Sequence, residues 1–305
     1  LRERQGDLVP LIISETGATA MVGSRMQVPV AIERFERYAK SAARSLDIAL
    51  PPSAMQATPL AAGGLIGGVV QRQPVGVVAC ISPYNFPLVN MAGKIAPALA
   101  VGCTVVMKPA PQDPLAVIEL AEIMHEVGFP PGVVNIITSS SPAPAAALTT
   151  SRNVDMVSFT GSTRAGKRVA QVGAETIKKI ALELGGKSAN IICDDLDEAT
   201  FAKAVMGGVG KAFLNSGQTC SALTRMLVPR TRLAEAEKSV VSAASGMKVG
   251  DPFAEGSNLG PLASAAQRDR VQSYIAKGIE EGAKLIFGGP GSPEGLATGY
   301  YVNPT

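Results

Sequence analysis

Val75-Gly76-Val77-Val78-Ala79-Cys80-Ile81-Ser82-Pro83-Tyr84-Asn85-Phe86-Pro87 is the stretch whose reading decides the fold. Its β-branched apolar run predicts a strand over residues 75–81, since such side chains suit a strand covered on both faces. Two prolines then stiffen a loop, and an apolar helical pattern follows over 87–101. The unit repeats. Strands are predicted at 103–107, 133–137, 154–159 and 177–184, with helices at 114–127, 142–150 and 162–172 between them. Repeats of this length predict a parallel sheet with helices on both faces, an α/β fold. Ligands of such sheets sit at the carboxyl ends of the strands.

Working outward, residues 1–13 place Leu1, Leu8, Leu11 and Ile12 on one helical face, and residues 29–46 form an amphipathic helix through Ile32, Phe35, Ala39, Ala42 and Leu46. Residues 51–62 read as a turn-rich linker, and residues 65–70 as a run that protrudes in an arm or hairpin. After Gly186 the pattern restarts, with strands at 189–193, 225–228 and 284–287 and helices at 197–214, 233–244 and 263–279. This predicts a second α/β domain. The chain opens in mid-pattern at Leu1-Arg2-Glu3-Arg4 and stops at Pro304-Thr305 without a convincing domain end. Both features suggest a piece of a longer protein.

Composition narrows the function. Of 305 residues, 46% are apolar and 17% charged, which predicts a soluble globular protein with a sizeable core. The 28 basic and 25 acidic residues leave a net charge of +3, too balanced to argue for nucleic acid or an anionic membrane. Aromatics are 4% and form no basic–aromatic stripe. The apolar run at 60–70 is too short to span a bilayer, and no signal peptide is read at the start. Cysteines 80, 103, 193 and 220 are widely spaced, without a C-x-x-C pair, so neither a disulfide framework nor a metal site is predicted. Cys80, Cys103 and Cys193 read as small core residues, and a cytoplasmic, reducing compartment fits.

Cys220 differs from those three. It ends the loop Asn215-Ser216-Gly217-Gln218-Thr219-Cys220 after an apolar helical run. A thiol nucleophile needs a base or an electropositive setting. The one histidine, His125, makes a Cys–His dyad improbable, and Glu183 in Leu182-Glu183-Leu184-Gly185-Gly186-Lys187-Ser188 is the best alternative partner. Three further motifs follow predicted strands. Asn85 is either part of a strand-ending turn or an oxyanion donor. Lys108, in Met107-Lys108-Pro109-Ala110-Pro111, is either a solvated charge or a ligand for ribose or phosphate. Ser162, in Phe159-Thr160-Gly161-Ser162-Thr163-Arg164-Ala165-Gly166-Lys167, is either a plain helix cap or part of a pyrophosphate site. That last segment is neither the G-x-G-x-x-G fingerprint nor a full Walker motif.

Taken together, in order and through essentially the whole chain, these motifs resemble the NAD(P)-dependent aldehyde dehydrogenase superfamily. Pro83-Tyr84-Asn85-Phe86-Pro87 resembles its P-W-N-F-P loop, and Lys108-Pro109-Ala110 its K-P-[SA] segment. Phe159 to Thr163 resembles its F-T-G-S-T turn. Glu183 to Ser188 resembles its E-L-G-G-K-S motif, and Gly217 to Cys220 its G-Q-x-C nucleophile.

The resemblance implies a Rossmann-like cofactor domain at 1–57 and 76–185, a partial oligomerisation arm at 58–75, and a truncated catalytic domain at 186–305. It implies that Cys220 attacks an aldehyde to give a thiohemiacetal, whose oxyanion the Asn85 side chain and the Cys220 backbone N–H hold. Hydride would pass to nicotinamide, and Glu183 would activate the water that hydrolyses the resulting thioester; partial burial raising its pKa would suit that glutamate to the task. NAD or NADP would be bound by Ile81, Ser82, Lys108, Pro111, Gly161, Ser162, Gly166 and Leu184, and Tyr84 would line the substrate tunnel. A homodimer or homotetramer is implied as well. Four departures from the family pattern bear on this. Tyr84 stands where Trp is usual. Pro111 stands where NAD-preferring members often carry the Glu that repels a 2′-phosphate, so dual NAD and NADP use is expected. Ser139-Ser140-Ser141 replaces a loop that commonly contains glycine, and the family's E-x-F-G-P motif is absent after Thr305. The nearest rival readings are a CoA-acylating semialdehyde dehydrogenase, which generally lacks the glutamate, and a catalytically silent scaffold on the same fold.

Overall fold

The computed structural model describes all 305 residues. Its centre is a five-stranded parallel sheet in the order β5-β4-β3-β6-β7, built from β3 (Val77–Ile81), β4 (Thr104–Lys108), β5 (Val134–Ile136), β6 (Met156–Gly161) and β7 (Lys179–Leu184). Crossover helices α4 (Pro87–Ala100), α5 (Leu115–Glu126), α6 (Ala143–Thr150) and α7 (Thr163–Ala174) join the strands. The predicted parallel α/β sheet is therefore the observed one.

The strand sequence explains the layering. Along β3 successive side chains face opposite sides. Val78 and Cys80 enter a large core with Leu88, Met91 and Ile95 of α4 and Val117 and Leu120 of α5. Ala79 and Ile81 enter a smaller one with Val157 and Phe159 of β6 and Val169 of α7. The large core is closed by α1 (Gln5–Thr16) and α3 (Val28–Ala42) through Leu8, Ile12, Ala31 and Ile32. Between these two, α2 (Ala20–Val22) runs through a π turn (Gly23–Gln27) straight into α3.

The linker predicted at 51–62 is corrected. β1 (Ile48–Met55) and β2 (Gly64–Val70) form an antiparallel hairpin, so its first half is strand. Pro51 and Pro52 withhold two ladder donors, and the register shifts between Leu50 and Ser53 to pass them. Every residue of both strands is exposed.

The second unit is smaller. β8 (Ala189–Ile191) and β9 (Arg225–Leu227) form a two-stranded parallel sheet. Helices α8 (Glu198–Phe213) and α9 (Leu233–Ser245) cover one face, where Phe201 is fully buried with Ile192, Val205 and Ala236. The Arg232 guanidinium lies 3.7 Å from the centre of the Phe201 ring. Asp197 caps α8 by accepting the Thr200 N–H at 2.9 Å, and Ser264 caps α10 (Ala265–Glu280) through the Gln267 N–H at 3.3 Å. Two further expectations fail here. Residues 284–287 are not a strand: glycines 282, 288 and 289 have left-handed φ angles, and no neighbouring strand offers a ladder. Cys193 is exposed rather than a core residue, because it lies just beyond a two-stranded sheet whose outer side leaves Ile191 70% and Leu227 52% exposed.

Candidate active site

Parallel pairing brings the motif-bearing strand ends to one edge. Ile81 is in register with Lys108 on one side and with Phe159 on the other, and Gly161 with Leu184. The segment that faces this edge is the cysteine loop. Asn215, Ser216 and Gly217 adopt left-handed backbone with φ of 55°, 56° and 77°. Two of the three are not glycine, a strained arrangement of the kind found where the surroundings fix the chain. It folds the chain back after α8, so that Gln218, Thr219 and Cys220 meet the Pro83–Pro87 loop.

Hydrogen bonds hold that reversal. The Asn85 side-chain amide donates to the Gln218 carbonyl at 2.7 Å, and the Asn215 side-chain amide donates to the Asn85 carbonyl at 3.0 Å. The Gln218 side-chain oxygen accepts from the Ala263 N–H at 3.1 Å, and the Ser216 hydroxyl donates to the Gly260 carbonyl at 2.8 Å. The Thr219 hydroxyl donates to the Leu214 carbonyl at 2.9 Å. A carboxamide nitrogen carries two N–H groups. One of those on Asn85 is engaged, and the other is free for an oxyanion in the cleft.

That cleft has a volume of about 580 Å³, and its walls include Tyr84, Asn85, Ser162, Leu184, Cys220 and Arg270. A larger cavity of about 790 Å³ lies beside α4, bounded by Tyr38, Arg44, Arg72 and Lys179. It reaches neither Cys220 nor Asn85, so the smaller cleft is the candidate site. Cys220 is exposed within it. Burial and the nearby Asp113 push the Tyr84 phenol up, while Arg270 offsets part of this.

Glu183 is not among the residues lining this cleft. Leu184 packs with the α7 side of the sheet, so strand alternation turns Glu183 to the α4 side. There it is exposed and makes no hydrogen bond, so the partial burial that would suit it to act as a base is missing. Its charged neighbour on that side is Lys94 of α4. The Lys94 ammonium, only 8% exposed, donates to the hydroxyls of Thr160 at 2.7 Å and Ser158 at 3.2 Å. Burial lowers its pKa to about 8, opposed by the neighbouring Cys80 and the Glu183 carboxylate and assisted by Arg34. Lys94 was absent from the sequence-based candidates. Its signal was legible nonetheless: a lone cation on the apolar stripe Leu88, Met91, Ala92, Ile95.

The proposed cofactor residues form a coherent edge. Ser162 caps α7 by accepting the Ala165 N–H at 3.3 Å, which leaves backbone donors of the first turn directed outward. A side chain at position 166 would collide with Leu184, and one at 161 with the Phe159 ring, so both glycines keep the strand–helix turn narrow. The Ser82 hydroxyl is buried without a partner. The Lys108 side chain is buried, makes no hydrogen bond or ion pair, and has its pKa lowered by burial. Unspent donors around a glycine-narrowed turn suit a dinucleotide. Pro111 is exposed and brings no carboxylate to this edge. Two residues on, Asp113 is fully buried with both oxygens unpartnered, and burial, helped by Glu15, pushes its carboxyl up to about 9.

Comparison with known proteins agrees with this geometry. The sequence model of the aldehyde dehydrogenase family matches residues 1–305. A 3-succinoylsemialdehyde-pyridine dehydrogenase of a Pseudomonas species is 50% identical over 236 residues, which is 77% of this chain and 49% of that protein. Aldehyde dehydrogenase C of Pseudomonas syringae, solved as a cysteine-to-alanine variant with NAD+ and octanal, superposes with a TM-score of 0.89 at 42% identity. The match covers 99% of this chain and 59% of that one. An NAD+ complex of a Bacillus cereus aldehyde dehydrogenase gives a TM-score of 0.87 at 35% identity, covering 99% of this chain and 58% of that one. The chain thus spans about half to three-fifths of the length of these relatives.

Proposed function

This chain belongs to the aldehyde dehydrogenase family along residues 1–305, and from that premise we propose that the whole protein oxidises an aldehyde to a carboxylic acid with NAD+ or NADP+. The observation that carries the reading is the meeting of Asn85 and the Cys220 loop in one cleft. Bound NAD(P)+ supplies the acceptor for the hydride that leaves the substrate carbon. Ile81, Ser82, Lys108, Gly161, Ser162, Gly166 and Leu184 would hold it, and Pro111, which brings no carboxylate, would not repel a 2′-phosphate.

The chain's own residues do the rest. Cys220 Sγ adds to the aldehyde carbon, and the free N–H of Asn85, with the Cys220 backbone N–H, holds the oxyanion. Donors aimed where charge develops are among the largest single contributions to catalysis. Arg34 and Arg270 line the cleft and no Asp or Glu does, so its field favours that anion. Loss of hydride leaves a thioester on Cys220. Glu183 then takes a proton from the water that hydrolyses it, which requires its side chain to turn from the α4 side toward the cleft, and Lys94 is the charge against which it swings. A carboxylate here favours water over CoA as the acyl acceptor. Tyr84 borders the aldehyde's path.

For the arrangement of the whole we propose a cofactor domain at 1–57 and 76–185, an arm at 58–75 and a catalytic domain from 186. The hairpin exposes Leu65 at 78% and Val69 at 67%, which supports its use in a homodimer or homotetramer. No helix is long and apolar enough to cross a membrane, and a cytoplasmic setting suits four free thiols. The test is rapid mixing of the full-length protein with NAD+ or NADP+ and a panel of aldehydes. Stoichiometric NAD(P)H formation that vanishes in Cys220→Ala supports the covalent route. A burst that survives Cys220→Ala would refute it.

A further inference from the structure

Three residues of one helical stripe, Met26, Val30 and Arg34, form a wall of the cleft. They recur every fourth residue along the continuous run of the π turn and α3, so they share a face. The first two are apolar and the third is a guanidinium. The cleft is also lined by Phe86, just before α4, and by Val89 and Asn90 of α4. Arg34 lies against this helix. Its Nη1 donates to the Val89 carbonyl at 2.5 Å, and its guanidinium occupies the space that any side chain at Gly93 would fill. Gly93 therefore makes room for Arg34.

The guanidinium has five N–H donors. The Val89 carbonyl takes one, and Arg34 forms no ion pair with any carboxylate of the chain. A half-buried guanidinium facing a cleft with most of its donors unspent lacks an acceptor. Its position says which end of a substrate would supply one. Asn85 precedes α4, and Val89 and Gly93 lie four and eight residues further along. Within α4, which begins at Pro87, Val89 and Gly93 lie about 3 and 9 Å along the axis at about 1.5 Å of rise per residue, so Arg34 meets the helix beyond the Asn85 loop. Phe86, Val30 and Val89 line the same cleft.

Resting on the aldehyde-oxidising reading above, we propose that Arg34 determines specificity by binding a carboxylate at the far end of a short aliphatic aldehyde, making ω-carboxy aldehydes the preferred substrate class. Carboxylate is the group that a planar guanidinium fork binds best, through two parallel hydrogen bonds. Arg270 also lines the cleft but stands beside Tyr84 and carries the charge that acts on its phenol. Arg34 is the cation on the helix face shared with the apolar walls.

Two measurements on the full-length protein test this. The first compares kcat/KM for succinic and glutaric semialdehydes with that for butanal and pentanal, in wild type, Arg34→Met and Arg34→Lys. The expected result is a wild-type preference for the semialdehydes that falls at least tenfold in Arg34→Met and is partly kept in Arg34→Lys. A preference that Arg34→Met leaves unchanged, or a wild-type preference for the alkanals, overturns the proposal. The second measurement does not need turnover. Glutarate should slow alkylation of Cys220 by iodoacetamide more than the uncharged glutaramide does in wild type, and no more than glutaramide in Arg34→Met. Equal protection by the two compounds in wild type overturns the carboxylate site. Selective protection by glutarate without turnover of any aldehyde would keep the site and remove the dehydrogenase reading.

Discussion

The half built on the five-stranded sheet and the half that carries the cysteine loop use the same unit, strand followed by helix, with opposite consequences. In the first, five strands run side by side, and β3 is buried on both faces by α1, α3, α4 and α5 on one side and α6 and α7 on the other. In the second, two strands are covered on one side only, and Ile191 and Leu227 face outward. The first half contains its own complement. The second leaves apolar surface exposed. A local pattern can specify a strand, but its stability depends on how many neighbours the chain supplies.

The sharpest way to break this comparison is to weaken the smaller core. Phe201 is fully buried and is both the largest member of that cluster and the ring under Arg232. Phe201→Ala should cost about 3–5 kcal/mol. Amide exchange read by mass spectrometry should show accelerated exchange in α8, α9 and the cysteine loop, with α4 and β3 within about twofold of wild type. Uniform acceleration through both halves would mean that they unfold as one unit.

The same contrast explains what could be read from sequence. The alternation of Val78, Ala79, Cys80 and Ile81 announced a strand with two buried faces, and both faces are present. Asn85, Lys108, Ser162 and Leu184 were legible because each stands at a strand end, where parallel pairing carries it to the common edge. The misses all depended on a neighbour rather than on a local pattern. Residues 51–55 open on two prolines and read as linker, yet pair across a register shift as part of β1. Residues 284–287 have strand composition and no ladder partner. Cys193 has core composition and nothing packed over it. Asn215 and Ser216 take left-handed backbone that no glycine announces, because contacts from Asn85 and Gly260 impose it. Arg34 carried no local signal, because what makes its berth is Gly93, far off in sequence.

A smaller effect sharpens the contrast from the side of the complete half. Lys108 has no carboxylate at position 111 to set against a 2′-phosphate, and the nearest acid, Asp113, is buried. Pro111→Glu should place a negative charge at the exposed edge and lower kcat/KM for NADP+ relative to NAD+ by about tenfold, or ~1.4 kcal/mol. Steady-state kinetics of the full-length protein with both cofactors would show it. An unchanged ratio would mean that the adenosine ribose does not pass position 111.

The smallest effect concerns Asp113 itself, the one fully buried acid of the half built on the five-stranded sheet. Glu15 beside it accepts the Leu115 and Ala116 N–H groups at the start of α5, the second at 3.0 Å, and so occupies donors that Asp113 would otherwise use. Asp113 is left with no partner and a pKa of about 9. The linkage has a definite sign. An acid whose pKa is higher folded than unfolded gives no penalty below about pH 4. Stability then falls as pH rises through the unfolded value and levels off above the folded one. Asp113→Asn keeps the shape and removes the proton, so it should raise Tm by roughly 2–4 °C at pH 8, the equivalent of about 1 kcal/mol, and by less at pH 5. An advantage of Asn that is equal at both pH values would show that the gain comes from packing. A loss at pH 8 would show that the charged carboxylate has a partner after all.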